Sequence, residues 1–342
     1  MHATPARACR IAIAGASSLR GKDLAELIAE RSFHTSDLQL IDDDVASGTL
    51  TEAAGEPAFI HPLAEDSFER ADLVFFAGHA EFTIRHWEQA ARAGASVVDL
   101  SGAFVDLSES QPWIPALDGV LPPPKDIRKG KLFFSPPAAT QVACTLAAAL
   151  GPFKPQRLSI VFLQPVSERG ASGLEELESQ TVNLLTFQPI SQTVYDAQVA
   201  FNLLGRFGTE SQEQLGGARA AISRGVARFL ASRGAASTMI PAVQLVQAPV
   251  FYAYAFTAYA DLGAKVDAAA LENALSAAEV SVEKAGDPAP SNVSVAGESR
   301  IHLARVEADP GVANGCWLWG AADNVRLAAA NALRIAEKLI AS

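Results

Sequence analysis

The sequence predicts an α/β protein in which a domain built on a parallel sheet is followed by a domain built on a mixed sheet. Two observations carry this prediction. From residue 10 to about residue 151, short apolar runs alternate with longer segments of helical period, which is the pattern of βαβ units. After residue 151 the strand-like runs become longer, and most follow one another without a helix between them. Such an order is typical of a mixed or antiparallel sheet.

The elements of the first domain follow in a regular order. The expected strands are RIAIAG, LQLID, DLVFFAG, SVVDL and KLFFS, and the expected helices are LRGKDLAELIAERS and FTIRHWEQAARAG. The segment LPPPK at residues 121–125 contains consecutive prolines. Because proline lacks the amide hydrogen that a helix or a central strand uses, this segment is expected to be a surface connection before the last strand.

In the second domain the expected strands are RLSIVFLQPVS, AASTMIPAVQLVQ, APVFYAYAFTAYADL, SRIHLARVEA and GCWLWGAAD. Helical patterns are expected near residues 173–187 and 210–233, and a final one at residues 323–340 closes the chain. The aromatic residues of the third run suggest either a ligand-stacking platform or a sheet face at a subunit interface. Alternation along a strand favours the interface, and therefore a homodimer.

Composition limits the classes of function. The chain has 342 residues, of which 49% are hydrophobic, and its formal net charge is −11. That charge repels phosphate backbones and anionic lipid headgroups, so neither nucleic acid nor a membrane is an expected partner. No apolar run reaches the roughly 20 residues that span a bilayer, and the amino terminus lacks the apolar region of a signal peptide. We therefore expect a cytoplasmic protein.

The cysteines are three in number, Cys9, Cys144 and Cys316, and they lie far apart in the sequence. An odd number without metal-ligand spacing fits a reducing compartment, without disulfides and without a bound metal.

The segment GASSLRG, residues 15–21, lies between the first strand and the first helix. In a Rossmann-type domain a dinucleotide pyrophosphate lies at this turn, on the helix N-terminus. Ser18 stands where a second glycine would let the ligand approach closely, so we expect weak binding. The alternative is an ordinary turn before a helix, capped by Ser17 or Ser18.

Three carboxylates follow the second strand, at Asp42, Asp43 and Asp44. An acidic residue at this place hydrogen-bonds a ribose 2′-hydroxyl, and several would repel a 2′-phosphate. The sequence therefore favours NAD over NADP if NAD(P) binds at all. A solvated acidic loop is the alternative.

The segment WGAADNVR at residues 319–326, followed by LAAANALRIAEKL, resembles the signature that closes aspartate-semialdehyde dehydrogenases. Other marks of the family stand in order along the chain: GASSLRG, FAG at 76–78, VVDLSGAF at 97–104, QPVS at 164–167, FN at 201–202 and PV at 249–250. The resemblance implies a Rossmann-type nucleotide-binding domain of residues 1–136 and 323–342. It also implies a mixed α/β dimerisation domain of residues 137–322. It places cofactor contacts at Gly15, Ser17, Ser18, Leu19, Gly21, Ala77, Gly78 and Asn324.

In that family a cysteine in an Asn-Pro-Asn-Cys motif attacks the aldehyde, and the matching segment here reads SPPAAT, with Ala138 at the cysteine position. A thioester cannot form on a methyl group. Cys144 lies six residues later in an apolar helical run. We expect it to be a small core residue, although a relocated nucleophile is the alternative.

The remaining family positions are also altered. Tyr254 stands where the resemblance implies a histidine base, and a phenol is ionised too weakly at neutral pH for that role without tuning. Gln247 replaces an arginine that would hold the substrate carboxylate, and Val105 replaces one that would bind phosphate. A Glu-x-x-Lys pair falls near Arg219 and Ala221. Gln164 alone survives among the catalytic side chains.

Two hypotheses follow from this pattern. The first is a catalytically inactive paralogue, similar to the Usg branch of the family, that keeps the fold and the dimer. The second is an NAD(P)-dependent oxidoreductase that acts on an aldehyde or acyl phosphate with altered chemistry, using Tyr254 or His79. A site filled by side chains such as Tyr254 would favour the first, and a pocket open beside Ala138 would favour the second.

Overall fold

A computed structural model describes residues 9–31, 33, 35–43, 50–53, 56–124, 127 and 131–341. Asp44 of the acidic segment and Lys125 of the proline-rich segment lie outside the described residues. The chain divides into two compact units. The first unit is Met1–Pro115, Pro123–Pro137 and Ala328–Ser342, and the second is Ala116–Pro122 and Ala138–Leu327. The domain boundaries given above stay a prediction.

The first unit is built on a parallel sheet. Its strands are β1 (Cys9–Ala14), β2 (Thr35–Asp42), β3 (Leu50–Ala53), β4 (Glu56–Phe59), β5 (His61–Pro62), β6 (Leu73–Phe76), β7 (Ser96–Asp99), β8 (Gln111–Pro112) and β9 (Leu132–Phe134). Its helices are α1 (Leu19–Glu30) and α2 (Ala80–Arg92). The main sheet has the order β5-β2-β1-β6-β7-β9-β8, with parallel pairs throughout, and β3 and β4 form a separate hairpin.

Side chains of the central strands alternate between two apolar clusters, one on each face of this sheet. Ile11 and Phe75 belong to one cluster, and Ala12 and Phe76 belong to the other. Strands buried on both faces read as continuous apolar runs, which explains RIAIAG and DLVFFAG. The helix α7 (Asn324–Ala341) contributes Leu333 and its neighbours to the first cluster.

The second unit is built on a mixed sheet, as expected. Its helices are α3 (Ala138–Leu150), α4 (Gly170–Leu185), α5 (Leu215–Ser232) and α6 (Ala268–Ala277). Its strands are β10 (Arg157–Gln164), β11 (Ala242–Gln247), β12 (Tyr254–Asp261), β13 (Ser281–Val282), β14 (His302–Leu303), β15 (Glu307–Ala308) and β16 (Gly315–Ala322). The order is β11-β10-β12-β16-β14-β13, and β15 also pairs with β16. β10 runs parallel to β11 but antiparallel to β12.

The two faces of this sheet differ in exposure. Along β10, Leu158, Ile160 and Phe162 are buried, whereas the residues between them are half-buried. On the more open face Trp317 and Trp319 of β16 are 42% and 38% exposed. The sheet therefore presents an apolar, partly exposed face, which we call the open face.

The aromatic residues of β12 are divided between the two faces of the sheet. Tyr254 and Phe256 are buried, 3% and 0% exposed, while Tyr259 is half-buried and packs on Trp317 with ring centroids 4.8 Å apart. Side chains alternate along a strand, so even-numbered and odd-numbered aromatics must point to opposite faces. Much of the aromatic surface on the open face comes from β16.

No helix among the described residues has the length and apolar character that a membrane span requires.

Candidate functional site

The ends of three adjacent strands in the mixed sheet carry Gln164, Gln247 and Tyr254. Gln164 ends β10 and Gln247 ends β11, and the two residues are direct partners in the parallel register. Tyr254 begins β12, which runs antiparallel to β10 with Leu163 opposite Ala255. The last residue of β10 therefore lies level with the first residue of β12. Strand register thus brings together three positions that are far apart in sequence.

These three side chains are bonded to one another and to the main chain. Gln164 Nε2 donates to Gln247 Oε1 at 3.2 Å, and Gln247 Nε2 donates to the main-chain oxygens of Gln164 at 2.9 Å and Ala248 at 3.0 Å. The Tyr254 hydroxyl lies 3.5 Å from Gln164 Oε1, and its ring meets Phe162 edge-on. Gln164, Gln247 and Tyr254 are 5%, 0% and 3% exposed. We call this set the glutamine-tyrosine cluster.

Ala138, where the resemblance implies the nucleophile, is the first residue of α3 and is 2% exposed. All of α3 is buried. Cys144 lies within this helix, 0% exposed, and burial raises the pKa of its thiol. Since the thiolate is the reactive form, Cys144 is an inert core residue.

Asn324, which the resemblance places at a cofactor, is hydrogen-bonded within the second unit. Its Oδ1 accepts from Ser167 Oγ and from the Ala253 amide, both at 3.1 Å, and its Nδ2 donates to Glu168 Oε1 at 2.8 Å. Its side chain is 4% exposed. Ala253 adopts a φ of 65° and is 0% exposed. This left-handed conformation, which favours glycine, was not foreseen from the sequence.

The turn after β1 is closed by its own side chains. Ser18 caps α1, because its hydroxyl accepts from the Gly21 amide at 3.0 Å and donates to the Ala77 carbonyl at 2.8 Å. Gly15 has a φ of 83°, and a Cβ there would lie 2.3 Å from the Gly78 amide nitrogen. Gly15 and Gly78 are therefore in close backbone contact, and a side chain at Gly15 could not fit.

Asp42 was expected to contact a ribose hydroxyl, but its carboxylate is bonded within the turn. It is 6% exposed, and its Oδ2 accepts from the Ser17 amide at 2.8 Å and the Ser17 hydroxyl at 2.5 Å. Its Oδ1 accepts from the Asp43 amide at 2.9 Å. Asp42 therefore fastens the turn and does not present its carboxylate to a ribose. Asp43 is exposed, and it alone of the three acids is described in a position open to a ligand.

The residues at this turn fit the pyrophosphate of a dinucleotide. α1 begins at the carboxyl end of β1, and the amides of Leu19 and Arg20 in its first turn have no partner within the helix. Such amides, together with the helix dipole, bind phosphate. Among the described residues no group of three or more His, Cys, Asp or Glu is arranged to hold a metal ion.

The other expected positions are scattered over the two units. Val105 lies in a short 3₁₀ turn that the buried Asp99 holds, by accepting from the Ser101 and Phe104 amides at 2.7 and 2.8 Å. Burial raises the pKa of Asp99. His79 is exposed at the beginning of α2. Arg219 is exposed and donates to Gln244 Oε1 at 2.9 Å, and Ala221 is half-buried.

Comparison with known proteins follows the same division of the chain. Residues 10–116 match the NAD binding domain of semialdehyde dehydrogenase, and residues 146–327 match its dimerisation domain. A USG-1 protein homolog of Azotobacter vinelandii is 31% identical over 342 residues, covering 96% of this chain and 97% of that protein. An aspartate-semialdehyde dehydrogenase of Rickettsia bellii is 28% identical over 338 residues, with the same coverage.

Solved structures agree with this result. A probable aspartate-semialdehyde dehydrogenase from Pseudomonas aeruginosa has a TM-score of 0.83 and 28% identity, and covers 98% of this chain and 99% of its own. Aspartate semialdehyde dehydrogenase II from Vibrio cholerae has a TM-score of 0.86 at 23% identity with the same coverage, which bears on the fold alone. Both matched domains and the whole-length relatives confirm the resemblance seen in the sequence, and the chain belongs to the semialdehyde dehydrogenase family.

Proposed function

We propose that this protein is a catalytically inactive member of the aspartate-semialdehyde dehydrogenase family, a cytoplasmic homodimer that keeps the fold and binds NAD in preference to NADP. The observation that carries the proposal is the glutamine-tyrosine cluster. At the positions where the resemblance implies a base and a carboxylate-binding arginine, Tyr254 and Gln247 are buried and bonded to Gln164. A substrate carboxylate at this place would have to displace these hydrogen bonds.

The absence of a nucleophile supports the same proposal. Ala138 offers a methyl group at the start of α3, and Cys144 is buried in the core of that helix. The covalent route requires a sulfur atom that attacks the aldehyde and later leaves as the thiolate. Ala138 has no sulfur atom, and the sulfur of Cys144 is buried away from a substrate.

A dehydrogenase of altered chemistry would need an accessible proton acceptor near the substrate. Tyr254 does not meet this requirement, since its side chain is 3% exposed and its hydroxyl lies against Gln164. This observation favours the inactive protein over the altered enzyme.

The homodimer is supported by the open face. Tyr259, Trp317 and Trp319 lie partly exposed on a sheet within the matched dimerisation domain. Large aromatic side chains in contact with water are costly, and a second copy of the same face covers them in a symmetric contact. NAD is favoured because the exposed Asp43 would repel a 2′-phosphate.

The proposal is tested by assaying oxidation of aspartate semialdehyde in phosphate buffer with NAD or NADP, at high protein concentration. The aspartate semialdehyde dehydrogenase II of Vibrio cholerae serves as the positive control. We expect no reduced nucleotide above the blank. A burst that matches the protein concentration would overturn the inactivity, and tighter binding of NADP than NAD in a calorimetric titration would overturn the preference.

A further inference from the structure

We propose that Arg20 is a phosphate-binding residue of the nucleotide site, a role that rests on the cofactor binding proposed above. Arg20 is the second residue of α1, and its side chain is half-buried. Its Nη2 donates to the Gly78 carbonyl at 3.5 Å, which is a long hydrogen bond. The guanidinium group therefore reaches from the first turn of α1 to the residue that follows β6 by two positions.

The location of this charge fits an anionic ligand. β1, β6 and β7 are neighbours in the parallel sheet, and Gly15, Gly78 and Asp99 lie at or just beyond their carboxyl ends. Ligands of open parallel sheets bind in the crevice outside these ends. The charge of Arg20 also acts on Asp99, whose pKa it lowers against the larger effect of burial, which raises it. The positive charge of Arg20 thus lies near the carboxyl ends of these central strands.

The carboxylate of Asp99 is hydrogen-bonded to groups other than the guanidinium of Arg20. Its Oδ1 accepts from the amide and hydroxyl of Ser101 at 2.7 and 2.6 Å, and its Oδ2 accepts from the Phe104 amide at 2.8 Å. In the part of the chain that the structure describes, the hydrogen bond of Arg20 to Gly78 is its single one. A guanidinium has five N–H donors in a planar fork, so most of them remain for a ligand.

The serine hydroxyls of the turn cannot take this role. Ser17 donates to Asp42, and Ser18 donates to Ala77 while it caps α1. Among the side chains of this turn that the structure describes, Arg20 keeps N–H donors for a phosphate, beside the amides of its own helix turn. An arginine binds phosphate through two parallel N–H donors, which a lysine cannot reproduce.

The test is calorimetric titration of the full chain and of Arg20→Met with NAD, ADP-ribose, adenosine and inorganic pyrophosphate. Lys22→Met is the matched control, because Lys22 lies exposed on the same helix and also loses one charge. Loss of a charge-assisted bidentate contact should weaken binding of NAD and ADP-ribose about tenfold or more. Adenosine carries no phosphate and should bind both variants alike. Arg20→Lys should recover only part of the affinity.

Equal affinity of the unaltered protein and Arg20→Met for ADP-ribose would overturn the role of Arg20 and leave the cofactor proposal standing. Failure of the unaltered protein to bind NAD or NADP would overturn the cofactor proposal. In that case pyrophosphate decides the inference, since binding that Arg20→Met abolishes supports it and equal or absent binding overturns it. Thermal unfolding of both variants checks that the fold is kept.

Discussion

The side-chain amide of Gln247 donates to the main-chain oxygen of Gln164, while the side-chain amide of Gln164 donates back to Gln247 Oε1. This reciprocal pair joins the ends of two parallel strands, and both of its side chains are buried. Replacing either glutamine with a charged residue would therefore lower the stability of the protein. The pair therefore has a structural role at the ends of β10 and β11.

Gln247→Arg should destabilise the protein by about 3 kcal/mol, because it buries a charge without a partner and breaks the amide pair. Gln247→Leu should cost about 1 to 3 kcal/mol, since it leaves Gln164 Nε2 without its acceptor. Denaturant unfolding measures both. Gln244→Leu on the same strand, where the side chain is exposed, should change stability by less than about 0.5 kcal/mol. Equal effects at residues 244 and 247 would contradict the role of the pair.

Ala138→Cys alone should not restore dehydrogenase turnover. The thiol would have neither a base nor an arginine to hold the substrate carboxylate, because Tyr254 and Gln247 occupy those positions. Loss of several members of one catalytic unit leaves little for a single member to recover. Steady-state formation of NADH or NADPH is the measurement. Activity of this variant above that of the unaltered protein would show that the remaining losses matter less than proposed.

Sedimentation at micromolar concentration should give twice the 35.9 kDa chain mass. Trp319→Glu places a charge on the open face of both copies, where association would bury it, and should shift the protein toward the monomer. Val293→Glu is the control, because Val293 is 77% exposed in a loop that precedes β14. An unaltered protein that sediments as a monomer would refute the dimer.

Arg233 binds the loop at residues 116–122 to the end of α5. Its Nη2 donates to Asp118 Oδ1 at 2.6 Å, its Nε donates to the Pro122 carbonyl, and its guanidinium lies 5.5 Å from the Phe229 ring. The Arg233 side chain in this pair is 0% exposed. Arg233→Met should cost about 2 to 3 kcal/mol of unfolding free energy, because it removes the buried ion pair with Asp118 and the hydrogen bond to the Pro122 carbonyl.

Arg305→Met is the matched control. The Arg305 side chain is 58% exposed and its pair with Glu272 is at the surface, so its removal should cost less than about 1 kcal/mol. If both variants unfold at the same denaturant concentration, the buried pair stabilises the protein no more than the surface pair does.

His302 should make stability depend on pH. Burial lowers its pKa, Glu298 raises it less at 3.8 Å, and Arg300 lowers it. A histidine pKa that is lower in the folded state favours the neutral ring, so its contribution to stability is present above about pH 6.5 and is lost as pH falls through the folded pKa. The proton resonances of the His302 ring should titrate below that value, and Glu298→Gln should move the midpoint lower still. A midpoint above the ordinary value would reverse the expected sign.

Much of the fold could be read from the sequence because its signals are local. Apolar strands, helical periods and the glycine turn predicted the parallel sheet, the mixed sheet and the final helix. The hairpin β3–β4 and helix α6 were not expected, since neither carries a strong periodic pattern. The two-residue strands depend on pairing partners that sequence does not reveal.

Less of the candidate site could be predicted from the sequence. Aligned positions identified Gln164, Gln247 and Tyr254, but only strand register placed them side by side. The bond between Asp42 and Ser17 could not be foreseen, because an acidic residue after a strand suggests a ligand contact equally well. The role proposed for Arg20 depends on where a flexible side chain reaches, and a sequence holds no information on that.

The left-handed backbone at Ala253 restricts which amino acids this position can accept. Left-handed conformation costs an ordinary residue roughly 1 to 2 kcal/mol, and a β-branched side chain more. The bond from its amide to Asn324 holds that conformation in place. Among relatives that share this turn, we expect glycine, alanine or asparagine at the position and not valine, isoleucine or threonine. Narrow variation at a position can also indicate a catalytic residue, but the conformation of the main chain is sufficient to explain it at Ala253.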